Sequence, residues 1–318
     1  MSGPLVLALP SKGRLKEQTD DWLADCGLPV RALSGERGYT ARLAGLPEVE
    51  VRLVSAGEIA DALMVGDVHL GVTGEDMLRE LSLELERQVM LLQALGFGRA
   101  DLVVAAPKSW IDVDSMADVD EVAHLFLART GRRLRVATKY LTQTRAFFAR
   151  PGIVDYRIVE SGGATEGAPA AGVAELITDI TSSGATLAAN GLKVLPDGLI
   201  LSSQAQLAAS LTADWDAERL NVARRLVRIL EARARARAAA TLTWPPEADE
   251  TARAALAPWL ENGATPRPFG VLLGAADVFG ATAALAEQGV GPVSVTHPTY
   301  VFEALSAPIE TLAGQLGL

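Results

Sequence analysis

The chain has 318 residues, of which 49 % are hydrophobic and 21 % are charged, and its formal net charge is −10. This length predicts two or three domains with a sizeable buried core, and the acidic balance argues against a protein that coats nucleic acid. No apolar stretch approaches the roughly 18 residues of a membrane span, and the start has no signal-peptide pattern. We therefore expect a cytoplasmic protein with neither nucleic acid nor a membrane as a partner. The single cysteine, Cys26, excludes an internal disulfide and a cysteine-based metal cluster, and we expect it to pack near the first helix.

Short apolar runs alternate with helical patterns through the first two-thirds of the chain. Residues 5–9 (L-V-L-A-L) are typical of a buried strand, and the basic turn P-S-K-G-R-L and a helix through residue 23 follow. Further strands are predicted at 49–54, 68–72, 89–98, 101–107, 134–138, 154–160, 173–180 and 199–202, and further helices at 56–65, 116–128 and 142–149. This alternation predicts an α/β fold with mostly parallel sheets.

The pattern changes beyond residue 215. Residues 215–238 form a long helical stretch rich in Arg and Ala, which in an acidic protein favours a solvated helix face over a nucleic-acid contact. After the pair Pro245 and Pro246, the alternation of strands and helices starts again, with strands at 240–244, 269–273 and 293–296 and helices at 250–260 and 277–288. We expect a helical connector at 216–238 and a separate small α/β domain at 239–318, outside the active site.

The stretch I-T-D-I-T-S-S-G-A-T at 177–186 places several hydroxyl groups and one glycine directly after an acid. Ser, Thr and Gly are common at helix N-caps and in turns, so an ordinary turn is one interpretation. The alternative is a phosphate-binding loop, because backbone N–H groups and hydroxyls that converge at a helix start can hold a terminal phosphate. Asp179 would then accept hydrogen bonds from the vicinal hydroxyls of a ribose 5-phosphate.

Three further clusters lie at predicted strand ends, where open α/β sheets bind ligands. Lys12 and Arg14 flank Gly13 and suit a polyphosphate, although a basic surface turn explains them equally well. The glycine-rich turn at 160–169 carries two acids and could be a plain loop. A-T-K-Y at 137–140 places a lysine and a tyrosine at a strand end, where a surface lysine beside a packed tyrosine is the simpler interpretation.

The histidines and the short motifs give no sign of a metal site. His69, His124 and His297 are far apart and have no metal-ligand spacing, so we expect each to be structural. The signatures G-x-S-x-G, G-x-x-x-x-G-K-[ST] and C-x-x-C do not occur in the sequence.

Several segments resemble, in the same order, the motifs of one enzyme family. Four shorter ones are L-A-L-P-S-K-G-R-L near the start, G-D-V-H-L-G-V-T-G-E-D (66–76), L-G-F-G-R-A-D-L-V-V-A-A-P (95–107) and V-A-T-K-Y (136–140). The long segment 163–192, which contains the hydroxyl-rich loop, is similar to the family signature almost throughout, and L-S-S-Q-A-Q-L (201–207) follows it. The family is ATP phosphoribosyltransferase, the first enzyme of histidine biosynthesis, and the resemblance covers about residues 5–210.

The resemblance implies an activity and an architecture. The chain would join N1 of the adenine of ATP to C1′ of phosphoribosyl pyrophosphate, with Mg²⁺, and would release pyrophosphate. The catalytic part would consist of two α/β lobes like those of periplasmic binding proteins, followed by a small C-terminal domain that fits a ferredoxin-like unit loosely. Residues 1–100 and 191–215 would form lobe I, and residues 101–190 would form lobe II with the phosphoribosyl-binding loop.

The resemblance also assigns residues to the two substrates. Asp179 would bind the ribose hydroxyls of phosphoribosyl pyrophosphate. The 5-phosphate would be bound by the residues of the hydroxyl-rich loop: Thr181, Ser182, Ser183, Gly184, Ala185 and Thr186. The catalytic candidates are cations that face the phosphates or the departing pyrophosphate: Lys12, Arg14 and Arg37. The residues assigned to ATP come from two strand ends: Lys12, Gly13, Arg14, Glu160 and Gly163. No metal ligand is assigned.

Three positions depart from the family pattern. Glu175 replaces an Asp and Ser183 a usual Thr, and both keep the chemistry of the residue they replace. His69 stands where the family has Asp, so a role for that position is open. The tail is similar only loosely to the histidine-binding domain of the long family members, so the resemblance implies histidine as an inhibitor only weakly. We also expect a homo-oligomer, either a dimer or a hexamer.

Two other functions stay open. A non-catalytic ligand-binding or regulatory protein on the same two-lobed scaffold would explain His69 and the divergent tail, but the intact Arg14 and Asp179 argue against it. A phosphoribosyltransferase that acts on a free base would also place an acid before a phosphate loop. The sequence lacks the paired acids that such enzymes carry at the head of that loop.

Overall fold

The computed structural model describes residues 3–32 and 40–318. The strands of the first sheet are β1 (Leu5–Pro10), β2 (Val30–Ala32), β3 (Thr40–Leu43), β4 (Leu46–Val54), β5 (Leu70–Gly74), β6 (Val89–Ala94) and β12 (Ala205–Ser210). They lie in the order β2-β3-β4-β1-β5-β12-β6. β1 pairs in parallel with β4 and β5, whereas β12 runs antiparallel to both β5 and β6. This sheet is the framework of lobe I.

Helices cover both faces of the first sheet. They are α1 (Gly13–Asp25), α2 (Ala56–Val65), α3 (Glu75–Leu81), α7 (Ala217–Arg237) and α11 (Ala307–Leu316). The side chains of β1 alternate between the two faces, as the two-residue period of a strand requires. Leu5, Leu7 and Leu9 belong to the core beneath α1, α7 and α11, and Val6 and Ala8 belong to the core beneath α2 and α3. The continuous apolar run of β1 therefore reflects burial on both sides.

Local sequence explains where several helices begin and end. α2 starts with a capping box, in which Ser55 and Glu58 satisfy each other's backbone N–H groups, and ends at Gly66 in the left-handed conformation. In the second lobe, α4 (Met116–Thr130) starts with the equivalent pair Ser115 and Asp118. These caps agree with the helix boundaries that the sequence predicts.

The second sheet forms lobe II. Its strands are β7 (Ala100–Pro107), β8 (Leu134–Thr138), β9 (Tyr156–Glu160), β10 (Leu176–Thr181) and β11 (Leu192–Ser203), in the order β11-β7-β10-β8-β9. The helices are α4, α5 (Leu141–Ala149) and α6 (Ala185–Ala189). β8 pairs in parallel with β9 and β10, and β7 is antiparallel to β10 and β11. The prediction of mostly parallel sheets is therefore wrong, because both sheets are mixed. The hydroxyl-rich loop follows the end of β10.

The chain crosses between the lobes twice, and the crossings lie side by side. The first runs from β6 to β7 through residues 95–99, and the second passes from β11 to β12 at Gln204. The N–H of Leu95 donates to the carbonyl of Ala205 (3.0 Å), and the N–H of Ala205 donates to the carbonyl of Phe97 (3.0 Å). The return to lobe I was expected near residue 190. This prediction is wrong, because β11 pairs with β7 and keeps residues 192–203 in the second sheet.

The C-terminal unit has the expected ferredoxin-like order of elements. It comprises β13 (Ala239–Thr243), α8 (Asp249–Ala255), α9 (Ala257–Glu261), β14 (Thr265–Arg267), β15 (Gly270–Gly274), α10 (Val278–Glu287) and β16 (Ser294–Thr296). The strands are antiparallel in the order β14-β15-β13-β16, and the apolar sides of the helices pack with them in a separate core.

Two helices contradict the predicted separation of the tail. α7 is not merely an exposed connector, because one side of it, including Leu226 and Leu230, is buried in the core of lobe I. α11 lies beyond the ferredoxin-like unit in sequence, yet Ile309 and Leu312 are buried in that same core. The tail therefore leaves lobe I and returns to it, and residues 307–316 belong to the packing of lobe I.

The structure adds elements that no apolar pattern indicated, namely the hairpin β2–β3, the strand β12 and the helix α11. Cys26 is buried in the core of lobe I, as the sequence predicts. Across the described residues, every helix is too short or too polar to cross a bilayer.

Candidate active site

A cavity of about 570 Å³ opens between the two lobes. Lobe I contributes Arg14 and Asp76, and lobe II contributes Lys139 and Ser182. Between them, the first crossing segment supplies a wall that includes Phe97. Groups from both lobes thus face one space, as in the expected two-lobed arrangement.

A second cavity, of about 370 Å³, continues the first one into lobe II. The residues of the hydroxyl-rich loop that line it are Thr181, Ser182, Ser183 and Thr186. Asp179 and Glu166 line it as well. Arg99 and Ser182 belong to the walls of both cavities, so the two spaces form one continuous site.

The hydroxyl-rich loop is held by its own hydrogen bonds. The N–H of Gly184 donates to Oγ1 of Thr181 (2.8 Å), and α6 begins at the next residue. Gly184 has φ +72°, a conformation that glycine adopts without the strain of a Cβ. The N–H of Ala185, the first residue of α6, donates to Oγ of Ser183 (3.4 Å), so side chains of the loop satisfy the start of the helix. The hydroxyl-rich loop is therefore an ordered turn at the start of α6.

Asp179 lies at the inner end of this loop and is half-buried. Its Oδ1 accepts a hydrogen bond from the N–H of Ile180 (2.8 Å). Burial raises the pKa of the Asp179 carboxyl, and the negative charge of Glu166 also raises it, whereas the Ile180 hydrogen bond and the charge of Lys139 oppose the rise. A ligand that brings hydroxyl donors and a cation would relieve both unfavourable effects.

Of the three residues predicted in the basic turn after β1, Arg14 alone lines a cavity. Arg14 lies in the first turn of α1, is exposed, and lines the larger cavity. Lys12 is the exposed residue before the helix, with extended backbone, and Gly13 has φ +75°, but neither lines the cavities. Arg37 lies outside the described residues.

The glycine-rich turn after β9 contributes an acid that differs from the predicted one. Glu160 ends β9, is exposed, and with Gly163 lies outside the cavity walls. Glu166, six residues further on in the same turn, lines the smaller cavity. The buried Thr165 fixes this part of the turn by donating to Oγ of Ser161 (3.0 Å).

Four charged wall residues were not assigned to a substrate from the sequence: Asp76, Arg99, Lys139 and Glu166. Lys139 and Glu166 nevertheless belong to clusters that the sequence singled out. All four stand within or beside the quoted motifs, and Asp76, Arg99 and Lys139 follow strand ends or a crossing segment. Position at the carboxyl end of a strand was the signal that could have identified them.

His69 and Glu175 have structural surroundings. His69 is buried just before β5, its Nδ1 accepts from the N–H of Val6 (3.1 Å), and its Nε2 lies 3.1 Å from the carbonyl oxygen of Asp214. Glu175 forms ion pairs with Arg132 (3.0 Å) and Arg135 (2.7 Å). His69 therefore replaces the acid of the family pattern with a neutral packing group away from the cleft.

Comparisons with known proteins identify the family of the chain. The family model for ATP phosphoribosyltransferase matches residues 55–231. The ATP phosphoribosyltransferase of Caulobacter vibrioides (strain NA1000 / CB15N) is 63 % identical over 316 residues, which is 99 % of each chain. That of Rhodopseudomonas palustris (strain BisB18) is 57 % identical over 236 residues, or 74 % of this chain and 73 % of the relative.

Among solved structures, a chain of the ATP phosphoribosyl transferase (HisG:HisZ) complex from Thermotoga maritima superposes with a TM-score of 0.54. It is 24 % identical, and the match covers 71 % of this chain and 98 % of the other. This likeness supports the two-lobed fold. The family match and the identity over the whole length establish that the chain belongs to the ATP phosphoribosyltransferase family.

Proposed function

We propose that the two joined cavities are the place where this chain transfers the phosphoribosyl group of phosphoribosyl pyrophosphate to N1 of ATP. The transfer releases pyrophosphate and is the first step of histidine biosynthesis. One observation supports this assignment of the site. The hydroxyl-rich loop, Asp179 and cations of both lobes line one continuous cavity.

Phosphoribosyl pyrophosphate fits the smaller cavity by its chemistry. The hydroxyls and N–H groups of the loop at 181–186 would bind the 5-phosphate, because they offer several donors around an open glycine. Asp179, which lies just before the loop in the sequence, would accept hydrogen bonds from the two ribose hydroxyls. Neutral donors suit the 5-phosphate, because it stays on the ribose while pyrophosphate departs.

ATP and the departing pyrophosphate would occupy the larger cavity. Phe97 and Met77 provide apolar wall for a purine, and Arg14, Arg99 and Lys139 provide positive charge for phosphates. C1′ becomes cationic as the bond to pyrophosphate breaks, so these cations would act on charge that develops in the transition state. The main contributions of the protein would be positioning and charge stabilisation.

The residues of the site fit a Mg²⁺ that arrives with the substrate. No group of three or more His, Cys, Asp or Glu side chains within residues 3–32 and 40–318 is arranged to hold a metal ion. Mg²⁺ commonly uses one or two carboxylates together with substrate phosphates. Glu166 and Asp179, which line the same cavity, would supply the carboxylates. When bound, the ion would neutralise charge on the pyrophosphate.

We extend the proposal to the tail and to assembly. Histidine would bind the ferredoxin-like unit and inhibit the enzyme, which requires that it bind one conformation or assembly state more tightly than another. The chain would act in the cytoplasm as a homo-oligomer. Titration of the full-length enzyme with histidine tests the first statement, and undiminished activity at millimolar histidine would contradict it.

The decisive assay is incubation of the purified chain with ATP, phosphoribosyl pyrophosphate and Mg²⁺. We expect pyrophosphate and an adenine nucleotide substituted at N1. The matched control replaces ATP with 1-deaza-ATP, which lacks the attacking nitrogen and should give no product. If phosphoribosyl pyrophosphate binds but neither product forms, a non-catalytic binding protein is the better description. If free adenine reacts faster than ATP, the chain is an enzyme of base salvage.

A further inference from the structure

A buried carboxylate of lobe I receives side-chain hydrogen bonds from lobe II. Asp76, in the first turn of α3, is 6 % exposed. Its Oδ1 accepts from Oγ of Ser203 (3.0 Å), at the end of β11, and its Oδ2 accepts from the hydroxyl of Tyr140 (2.7 Å), before α5. A buried carboxylate that loses its donors carries a large desolvation cost. The two lobes are therefore tied together at the edge of the cleft.

Tyr140 is suited to act as a permanent donor to Asp76. Its side chain is fully buried, and burial raises the pKa of its hydroxyl, as does the negative charge of Asp76. The hydroxyl stays protonated at any working pH, and a hydrogen bond from a neutral O–H to a carboxylate is among the stronger kinds. The N–H of Tyr140 also donates to Oγ1 of Thr138 (2.9 Å), which tightens the turn after β8.

A second contact joins the same two helices. The carboxylate of Glu80, near the end of α3, accepts from the N–H groups of Thr142 (2.8 Å) and Gln143 (3.1 Å) in the first turn of α5. Negative charge is favourable at a helix N-terminus. The side-chain amide of Gln143 donates to the carbonyl of Arg79. Residues of α3 thus form hydrogen bonds both with Tyr140, just before α5, and with the first turn of α5. These contacts fix the position of the segment just before α5 relative to lobe I.

Lys139 is the residue that this fixed position presents to the cleft. It stands between Thr138 and Tyr140, and its Nζ lies 4.9 Å from the centre of the Tyr140 ring. Its exposed side chain lines the larger cavity together with Arg14 of lobe I. In the pattern A-T-K-Y, Lys139 thus lines the cavity and Tyr140 anchors the segment to Asp76.

We propose that the Asp76–Tyr140 hydrogen bond is a latch between the lobes that positions Lys139 against the substrate phosphates, opposite Arg14. Lys139 is then a phosphate-binding residue of the transfer reaction, and Tyr140 and Asp76 are positioning residues that act through it. This assignment rests on the proposed function of the cleft.

The test is a double-mutant cycle with a matched control. Tyr140→Phe removes only the hydroxyl, and we expect turnover to fall roughly tenfold, as the loss of a hydrogen bond to a charged group suggests. Tyr156→Phe makes the same change in the same lobe, on β9, where the ring packs against Phe148 outside the cleft. We expect that variant to keep turnover within about twofold of the wild type.

Coupling to Lys139 separates positioning from general stability. In a Lys139→Met background, Tyr140→Phe should change turnover by less than about twofold, because a latch cannot position a missing ammonium group. A full, additive loss in that background would overturn the proposal, as would wild-type turnover in Tyr140→Phe itself. If Tyr140→Phe does not fold, Ser203→Ala removes the other donor to Asp76 and is tested in the same cycle.

Hydrogen exchange gives a readout that does not depend on activity. The amides of Thr142 and Gln143 should exchange faster in Tyr140→Phe than in the wild type, and should not change in Tyr156→Phe. Unchanged exchange would overturn the latch. A wild-type chain that releases no pyrophosphate contradicts the proposed function instead, and the exchange result still decides whether the latch exists.

Discussion

Arg14 of lobe I and the hydroxyl-rich loop of lobe II bring different kinds of groups to the cleft. Lobe I offers the exposed cation Arg14 on the first turn of a helix, after a glycine with positive φ. Lobe II offers the half-buried Asp179 and a loop that its own hydrogen bonds hold in shape. A pre-formed set of neutral donors suits binding of a fixed group, whereas an exposed guanidinium suits charge that appears only during reaction. Binding of the ribose 5-phosphate is thus expected to depend on lobe II, whereas stabilisation of the departing pyrophosphate is expected to depend on cations that include Arg14 of lobe I.

The largest expected effect comes from Arg14. Arg14→Ala should lower turnover by roughly 10²–10³-fold, the usual cost of one donor to developing charge, while the KM for phosphoribosyl pyrophosphate changes little. Steady-state kinetics measure both quantities. Arg129→Ala, at an exposed position of α4, is the matched control and should leave both unchanged. If only KM rises in Arg14→Ala, the cation is a plain binding residue and the contrast between the lobes fails.

The next effect concerns Asp179. Asp179→Asn should weaken phosphoribosyl pyrophosphate by roughly 10–100-fold, because a charge-assisted hydrogen bond is worth roughly 1.5–3 kcal/mol, and it should leave ATP binding nearly unchanged. Calorimetric titration with each substrate separately is the measurement. Asp120→Asn, an exposed position on α4, provides the same chemical change away from the site. Equal losses of affinity for both substrates would show that Asp179 does not bind the ribose hydroxyls.

A glycine pair tests whether the shape of the loop matters beyond its stability. Gly184 and Gly172 have φ +72° and +68°, and a Cβ at either would meet open space. Alanine at either position should therefore cost a similar backbone strain, roughly 1–2 kcal/mol. We expect Gly184→Ala alone to raise the KM for phosphoribosyl pyrophosphate, by roughly fivefold for that strain. Equal KM values for the two variants would mean that the loop does not need its left-handed glycine for binding.

The smallest expected effect concerns how each lobe responds to acid. Burial lowers the pKa of His69 in lobe I below its usual 6.5, so the stability that its neutral form provides is lost as pH falls from 6.5. In lobe II, burial opposes ionisation of Glu175, but hydrogen bonds from Arg135 and Arg132 hold its pKa at about 2. The stability from that carboxylate is present above pH 4.5 and is lost between 4.5 and 2.

Melting temperature as a function of pH measures this difference between the lobes. His69→Asn should flatten the curve as pH falls from 6.5, and Glu175→Gln should flatten it between 4.5 and 2. His297→Asn changes an exposed histidine and serves as the control for the first window. If His69→Asn leaves the slope near pH 6 unaltered, the buried ring does not control stability there.

The sequence predicted the binding loop better than the walls around it. Asp179 and Ser182 were found because hydroxyls, a glycine and an acid stand close together in the chain, and their chemistry is local. Arg99 and Glu166 were missed because each lines the cavity through the meeting of distant strands and turns. Glu160 was chosen over Glu166 in the same segment, since the sequence does not give the direction in which a glycine-rich turn folds.

The tail shows the same limit at the level of domains. The prolines and the renewed alternation correctly indicated a new α/β unit, because those signals are local. The return of α11 to lobe I was missed, because the pattern of an amphipathic helix does not predict which core its apolar side will join. Val301 donates its N–H to the carbonyl of Ala232 (2.9 Å), and this bond holds the returning segment against α7.

By itself, the sequence determined the alternation of strands and helices and the turn at the hydroxyl-rich loop, because hydrophobic periodicity, glycine and caps act over a few residues. Its motifs also determined the family. Only the tertiary structure decided that β11 stays in lobe II, that Asp76 finds its donors in Tyr140 and Ser203, and that Lys139 and Arg14 line the same cavity. These contacts join residues that are more than 60 positions apart in the cases of Tyr140 and Ser203. The choice among such partners depends on burial and packing, which exist only once the lobes have formed.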